Sequence, residues 1–179
     1  MAFPKIGNLA PAFSLKDQDG NTVRLRDFRD ERNVVLYFYP KAMTPGCTTQ
    51  ACGLRDSQKE LKKLDTVVLG VSPDPVARLG KFIDKESLNF TLLSDEDHAV
   101  AEKYGVWGLK KFMGKEFMGI LRTTFIIGKD GRLYLLEYGN LWFSRNLDAR
   151  LSRVDYIRGN RGPKAVIAAE RWVGGGPFT

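Results

Sequence analysis

The sequence predicts an α/β fold in which helices cover both faces of a central mixed sheet. Two segments, "NVVLYFY" (33–39) and "TVVLGVS" (66–72), are apolar at consecutive positions, as strands buried on both sides of a sheet are. A segment of helical composition follows each of them, and a hairpin comes later in the chain. This alternation is typical of a sheet that lies between two layers of helices.

The elements before residue 90 can be predicted one by one. "APAFSLKDQDGNTVRL" (10–25) indicates an N-terminal hairpin with Asp19-Gly20 in its turn. After the first buried strand, "TTQACGLRDSQKELKKL" (48–64) predicts one helix, with leucines near one face and charges elsewhere. "DPVARLGKFIDKE" (74–86) predicts the next helix, after the second buried strand.

The remaining elements are a short strand, a helix and a hairpin. "FTLL" (90–93) predicts the strand, and Ser94 followed by Asp97 predicts a capping box for the helix in "EDHAVAEKYG". "TTFIIGKDGRLYLLEYG" (123–139) predicts the hairpin, with its turn at Lys129-Asp130-Gly131.

Length and composition favour a single domain, and the absence of long apolar runs favours a cytoplasmic location. The chain has 179 residues and is 43% hydrophobic, enough for one well-filled core and short for two. Prolines and a glycine interrupt "MAFPKIGNLAPAF", and no apolar run approaches the length of a membrane span. We therefore expect no secretory signal, no membrane contact and a cytoplasmic location.

The net charge of +7 does not by itself indicate nucleic-acid binding. Residues 131–179 carry eight basic against four acidic residues, so much of the excess lies in the last quarter of the chain. A basic stripe interleaved with aromatic residues, which a nucleic-acid surface would need, is missing from the sequence. A solvated surface is the simpler explanation of the charge.

Both cysteines of the chain lie on one corner, "YFYPKAMTPGCTTQAC" (37–52), just after the first buried strand. Ligand-binding and catalytic groups of open α/β sheets lie at the carboxyl ends of strands. If a helix begins with Cys47, its unpaired N–H groups and positive dipole would favour a thiolate there. Pro40 would end the strand, Pro45-Gly46 would form the corner, and Thr44 would offer a hydroxyl.

The residues alone leave open whether these thiols are reactive or are buried and inert. Two helical cysteines five residues apart have Cα atoms about 8.6 Å apart, beyond the usual disulfide reach of about 7 Å. A bond between Cys47 and Cys52 therefore requires the first helical turns to unwind. Together with His98 the two cysteines are too few for a structural zinc site, so no metal is expected.

"PKAMTPGC" resembles the Pro-x-x-x-Thr-x-x-Cys signature of peroxiredoxins, and the following "TTQAC" resembles the branch called PrxQ or bacterioferritin comigratory protein. "GVSPD", "FTLLSDEDHAVAEKYGVWG" and "GILRTTFIIGKDGRL" are similar to that branch in order and spacing. The resemblance covers approximately residues 5–133. It implies a thioredoxin-like fold and the reduction of hydrogen peroxide or organic hydroperoxides without metal, flavin or other cofactor.

The resemblance also assigns roles to five residues. Cys47 would be the peroxidatic cysteine, which becomes a sulfenic acid, and Cys52 would resolve it as an intramolecular disulfide. A thioredoxin-type thiol reductant would then recycle the disulfide. Arg122 would stabilise charge, Thr44 would accept a hydrogen bond from the peroxide, and Pro40 would shield the thiolate. The branch is often monomeric, so we expect a monomer.

The resemblance ends where the last part of the chain begins. We expect the peroxiredoxin domain to span residues 1–158 and an atypical tail to span 159–179. Two interpretations of this ending stay open: "NLDARLSRVDYI" and "PKAVIAAERWV" replace the family's terminal helix, or the segment is an altered reading frame or a fused sequence. The glycines after residue 158 favour poor order beyond about residue 160.

Two rival functions share the same cysteine corner. In a redox sensor or chaperone the same thiol would be oxidised but would turn over little. A disulfide oxidoreductase would need Cys-x-x-Cys spacing, which is absent.

The sequence leaves the preferred peroxide open. An aromatic and methionine cluster (Trp107, Phe112, Met113, Phe117, Met118) would either line the site for bulky peroxides or pack in the core.

Overall fold

The computed structural model describes residues 2–112 and 114–138. Its strands are β1 (Ser14–Asp17), β2 (Thr22–Arg24), β3 (Asn33–Phe38), β4 (Thr66–Ser72), β5 (Thr91–Ser94), β6 (Trp107–Phe112), β7 (Lys115–Ile120), β8 (Thr123–Ile127) and β9 (Leu133–Tyr138). Its α-helices are α1 (Pro45–Asp56), α2 (Gln58–Lys63), α3 (Val76–Glu86) and α4 (Ala99–Lys103), and a 3-10 turn spans Leu25–Phe28.

Seven of the strands form one mixed sheet, in the order β2-β1-β5-β4-β3-β8-β9. The pairs β3 with β4 and β4 with β5 are parallel, whereas β3 with β8, β8 with β9 and both pairs of β1 are antiparallel. The predicted α/β class, the N-terminal hairpin and the hairpin of β8 and β9 are confirmed. Strand β3 lies inside the sheet, which explains why its sequence is apolar on both faces.

Alternate residues of β3 face two separate hydrophobic cores. Val34, Leu36 and Phe38 pack in one core with α4, Tyr104 and Phe125. Val35 and Tyr37 pack in the other core, which also holds Cys47 and the buried faces of α1 and α3. The sheet thus lies between two layers, and the corner with the cysteines belongs to the second layer.

The helix predicted over residues 48–64 is two helices, with the break at Ser57. The Ser57 hydroxyl donates to the Gly53 carbonyl oxygen at 2.9 Å, and its backbone N–H reaches the same oxygen at 3.2 Å. A side chain that bonds back to the preceding turn competes with the regular helical ladder. The chain therefore turns at Ser57 (φ −89°, ψ 2°) before α2 begins.

The capping box predicted from Ser94 and Asp97 is wrong. Ser94 belongs to β5, and its hydroxyl donates to the Asp74 carbonyl oxygen at 2.7 Å. The start of α4 is held instead by Asp95, whose carboxylate accepts the N–H groups of Val100 (3.1 Å) and Ala101 (2.8 Å). Ser94 cannot cap the helix because it ends β5, and α4 begins only at Ala99, five residues later.

Strands β6 and β7 form a separate two-stranded hairpin that the sequence did not predict. Trp107 anchors its base: the indole packs against the first core and stacks on His98, with ring centroids 3.7 Å apart. Of the predicted aromatic and methionine cluster, Phe117 and Met118 are exposed on β7, and Met113 lies outside the described residues. Of the two alternatives for this cluster, core packing therefore holds for Trp107 but not for Phe117 or Met118.

The predicted boundary at residue 158, the tail 159–179 and the two predicted C-terminal helices lie outside the described residues. Within 2–112 and 114–138, no helix has the length and apolar character needed to cross a membrane.

Candidate active site

The sheet brings together two segments that are far apart in sequence. Strand β3 runs toward the cysteine corner, and its last residue, Phe38, pairs with Thr123, the first residue of the antiparallel strand β8. The residue before β8 is Arg122, so its side chain starts beside the carboxyl end of β3. Helix α1 also begins near the carboxyl end of β3, so the Arg122 guanidinium lies over the first turn of α1.

Cys47 and Arg122 are in direct contact. Arg122 Nη2 lies 3.1 Å from Cys47 Sγ, and the cysteine is 1% exposed. A guanidinium at this distance can stabilise negative charge that develops on the sulfur or on a bound substrate during a reaction. The predicted pairing of these two residues is therefore present in the structure.

Helix α1 begins at Pro45, three residues before the segment 48–64 that was predicted to be helical, so Cys47 lies in its first turn. Proline at the first helical position is favourable because it lacks the N–H that would stay unpaired there. The helical ladder begins with the bond from Thr48 N–H to the Thr44 carbonyl oxygen at 2.9 Å. The N–H groups of Gly46 and Cys47 precede that bond and remain available to an anion or a polar ligand.

Thr44 occupies the N-cap position of α1, but its hydroxyl does not cap the helix. The hydroxyl donates instead to the Lys41 carbonyl oxygen at 3.0 Å. Its proton is thus committed, and the lone pairs of Oγ1 remain free to accept a hydrogen bond. The role predicted for Thr44, which is to accept a hydrogen bond from the peroxide, requires such free lone pairs.

Pro40 follows the buried Tyr39 and begins the loop that leads to α1. Proline cannot extend the hydrogen-bonded ladder of a central strand, so the chain leaves the sheet here. Pro40 is half-buried, and Met43 further along the loop has a left-handed backbone (φ 64°). The five residues predicted for the site thus all lie on α1, on this loop or just before β8.

Gln50 is a site residue that the sequence analysis missed. Its Oε1 accepts a hydrogen bond from Arg122 Nη1, while Nη2 of the same arginine contacts Cys47. The spacing contains a usable signal, because a residue three positions after Cys47 on a helix lies on the same face. Gln50 therefore orients the guanidinium toward the sulfur.

Cys52 lies on the same helix and is half-buried, and both cysteines are free thiols. Its Sγ lies 3.9 Å from Glu86 Oε2 at the end of α3. Burial raises the pKa of the Cys52 thiol, and the Glu86 carboxylate raises that pKa further, against the opposing charge of Arg55. In the folded helix Cys52 is thus kept as a protonated, poorly nucleophilic thiol.

We expect Glu86→Gln to lower the pKa of Cys52, because the substitution removes a negative charge beside the thiolate. Burial, the larger cause, would remain, so the pKa should stay above the usual value of about 8.5. The measurement is the pH dependence of Cys52 alkylation by iodoacetamide in a Cys47→Ser background. Asp84→Asn, an exposed position on the same helix, is the control and should leave the midpoint unchanged. An unchanged midpoint in Glu86→Gln would contradict the assignment.

Lys110 of β6 supplies a second cation near the site, also missed from the sequence. Its Nζ donates to the Ile120 carbonyl oxygen at 3.0 Å, two residues before Arg122. Burial lowers the pKa of the Lys110 ammonium, the Arg122 charge lowers it further, and the Cys47 thiolate opposes both. Lys110 thus lies within electrostatic range of both residues of the pair.

We expect Lys110→Gln to slow the reaction of Cys47 with hydrogen peroxide by less than about tenfold, since a distant charge shifts a thiolate equilibrium modestly. Lys110 should lose its proton at a lower pH than an ordinary lysine. As the pH rises, the wild-type rate should therefore lose the contribution of the Lys110 charge at a pH below the lysine reference pKa of about 10.4. The rate of Lys110→Gln should not decline in that pH range, because the variant has no such charge to lose. Lys111→Gln is the matched control, because Lys111 is exposed on the same strand. Equal rates for all three proteins would contradict the prediction.

In the part of the chain that the structure describes, no three His, Cys, Asp or Glu side chains converge in a way that could hold a metal ion.

The chain matches the model of the AhpC/TSA family over residues 6–135. It is 60% identical over 129 residues to peroxiredoxin Bcp of Escherichia coli K12, an alignment that covers 72% of this chain and 82% of that protein. The crystal structure of the peroxidoxin BcpB from Mycobacterium tuberculosis superposes with a TM-score of 0.74 at 36% identity, covering 86% of this chain and 98% of that one.

A third similar protein is the Xanthomonas campestris bacterioferritin comigratory protein, solved in trapped intermediate and ligand complexes that bear on its alkyl peroxide reduction activity. Its TM-score is 0.72 at 30% identity, with 80% of this chain and 90% of that chain covered. These similarities confirm the predicted thioredoxin-like fold, because 86% and 80% of this chain superpose on the two structures, with TM-scores of 0.74 and 0.72.

Proposed function

The chain belongs to the AhpC/TSA family, in its PrxQ and bacterioferritin comigratory branch, and is a thiol peroxidase; on that premise we propose a complete cycle for its two cysteines. Cys47 is oxidised by hydrogen peroxide or an organic hydroperoxide, and Cys52 resolves the product as an intramolecular disulfide. A thioredoxin-type dithiol restores both thiols. The observation that carries the proposal is the contact of 3.1 Å between Arg122 Nη2 and Cys47 Sγ at the start of α1.

In the first step the Cys47 thiolate attacks the terminal oxygen of the peroxide. The O–O bond breaks as the S–O bond forms, and the peroxide proton moves to the departing oxygen, which leaves as water or alcohol. Thr44 Oγ1 accepts a hydrogen bond from the peroxide, while the free N–H groups at the start of α1 and Arg122 stabilise its oxygens. Pro40 shields the thiolate from bulk water. The sulfenate product takes up a proton to become a sulfenic acid.

In the second step the Cys52 sulfur attacks the sulfur of the Cys47 sulfenic acid. The S–O bond breaks as the S–S bond forms, and the departing hydroxide takes up the proton of the Cys52 thiol and leaves as water. Both residues lie in one continuous helix, at a separation too great for a disulfide, so the first turns of α1 must unwind. The buried face of these turns consists of Cys47, Gln50 and Ala51, none of which is a large apolar residue. Unwinding therefore exposes little hydrophobic surface, and it also releases Cys52 from Glu86.

In the third step thiol–disulfide exchange with a reduced dithiol partner returns both cysteines to the thiol form. Such partners are maintained in reducing compartments, which supports a cytoplasmic site of action. Because both sulfurs belong to one chain, the cycle is complete within a monomer. The activity of the Xanthomonas campestris relative toward alkyl peroxides supports including organic hydroperoxides among the substrates.

The proposal is tested by following NADPH oxidation with thioredoxin, thioredoxin reductase and either hydrogen peroxide or tert-butyl hydroperoxide. We expect sustained turnover that depends on all components. Oxidation of the protein without turnover would contradict the recycling step and favour a redox sensor that uses the same thiol.

A further inference from the structure

Both backbone polar groups of Ala42, in the loop between Pro40 and Thr44, are bound by side chains from a distant segment. The Ala42 N–H donates to Asp74 Oδ2 at 2.6 Å, and Arg78 Nη2 donates to the Ala42 carbonyl oxygen at 3.1 Å. Arg78 Nε lies 3.1 Å from Asp74 Oδ1, so the two side chains also pair with each other. We refer to Asp74 and Arg78 together as the loop clamp.

The loop clamp is fixed to the central sheet. The Ser72 hydroxyl, at the end of β4, donates to Asp74 Oδ2 at 3.0 Å, and the Ser94 hydroxyl, at the end of β5, donates to the Asp74 carbonyl oxygen at 2.7 Å. The Asp74 side chain is only 8% exposed, and a buried carboxylate is stable only with such partners. Two adjacent strands therefore hold Asp74, β4 through its carboxylate and β5 through its backbone carbonyl.

The clamped loop needs support from outside itself. It belongs to no helix or strand, and Met43 holds a left-handed backbone that residues with a Cβ disfavour. The residues that follow Ala42 carry the groups that would meet the peroxide: the Thr44 hydroxyl and the first N–H groups of α1. A shift of Ala42 would move these groups together.

The sulfur is held by different contacts. Cys47 Sγ is bound by Arg122, which is oriented by Gln50, and neither residue forms a hydrogen bond or ion pair with the clamp. The clamp thus supports the groups that orient the peroxide, while the opposite side of the site supports the thiolate.

We propose that Asp74 and Arg78 are positioning residues for the peroxide reaction, acting through the backbone of Ala42. This inference rests on the proposed function of Cys47. It separates two properties of the site: the nucleophilicity of the thiol, which the clamp leaves intact, and the alignment of the peroxide, which the clamp maintains.

The test compares two reactions of Cys47 in a Cys52→Ser background, in which Cys47 is the only thiol. Second-order rates are measured with hydrogen peroxide, which must be oriented, and with iodoacetamide, which reports the thiolate without using the peroxide-binding groups. For Asp74→Asn and Arg78→Lys we expect the peroxide rate to fall by about tenfold to a hundredfold. The iodoacetamide rate should stay within about threefold of the parent or rise.

Two exposed positions on α3, Lys81→Gln and Asp84→Asn, are matched controls and should leave both rates unchanged. If the peroxide rates of the folded clamp variants equal that of the parent, the inference is overturned. A parallel fall of both rates would overturn it as well, because the clamp would then act on the thiol. Should Asp74→Asn fail to fold, Arg78→Lys decides alone, since it keeps the charge opposite Asp74.

The proposed function has its own outcome in the same experiment. If the Cys52→Ser parent alkylates normally but does not react with peroxide, the proposed function fails and the clamp inference falls with it. If the parent reacts with peroxide and the clamp variants react at the same rate as the parent, the clamp inference alone fails.

Discussion

The Cys47→Ser variant should reduce peroxide more than about a thousandfold more slowly than the wild type, because a serine hydroxyl stays protonated and cannot form a sulfenic acid. Loss of the buried thiol should not unfold the protein, since serine fits the space of the 1%-exposed cysteine. The measurement is hydrogen peroxide consumption in the thioredoxin-coupled assay, with circular dichroism to verify the fold. Residual activity near that of the wild type would contradict the assignment of Cys47.

The Cys52→Ser variant is the matched control, because it removes the other cysteine of the same helix. It should consume one equivalent of peroxide at a rate close to that of the wild type and then stop with thioredoxin as reductant. Dimedone should trap a sulfenic acid on Cys47 in this variant. Continued turnover would show that a different thiol resolves the intermediate.

Replacing Arg122 with glutamine should slow the reaction of Cys47 with peroxide by about a hundredfold to a thousandfold. The guanidinium contacts the sulfur at 3.1 Å, and the hydrogen bond to Gln50 holds the guanidinium in this orientation. Arg122→Lys should recover only part of the rate, because an ammonium cannot contact Cys47 and Gln50 in the same planar geometry.

The measurement for Arg122 is the second-order rate of thiol loss under single-turnover conditions. Arg26→Gln is the control, since Arg26 is exposed on the 3-10 turn and should leave the rate unchanged. A rate for Arg122→Gln within about threefold of the wild type would remove Arg122 from the mechanism.

The sheet could be predicted from the sequence because burial on both faces leaves a strong pattern. "NVVLYFY" and "TVVLGVS" are apolar at consecutive positions, and both form interior strands, β3 and β4. The hairpin of β6 and β7 was missed because it lacks this pattern. It lies outside the main sheet and exposes apolar side chains such as Leu109 and Phe117. Its sequence therefore lacks the contrast that burial produces.

The site could be predicted only where a motif carried it. Cys47 and Arg122 are 75 residues apart, and composition alone would leave the arginine on the surface; the resemblance paired them. Gln50, Lys110 and the loop clamp depend on which side chains meet after packing, which no local pattern encodes. The break at Ser57 depends on one side-chain hydrogen bond that competes with the helix.

The central claim is that Cys47 and Cys52 form a disulfide through unwinding of α1. The most direct test treats the reduced protein with one equivalent of hydrogen peroxide, quenches within seconds and maps the thiols by mass spectrometry. We expect a Cys47–Cys52 disulfide in the wild type that is absent from the Cys47→Ser and Cys52→Ser variants. Survival of both thiols in folded wild-type protein, or a lasting sulfenic acid on Cys47 beside a free Cys52, would contradict it.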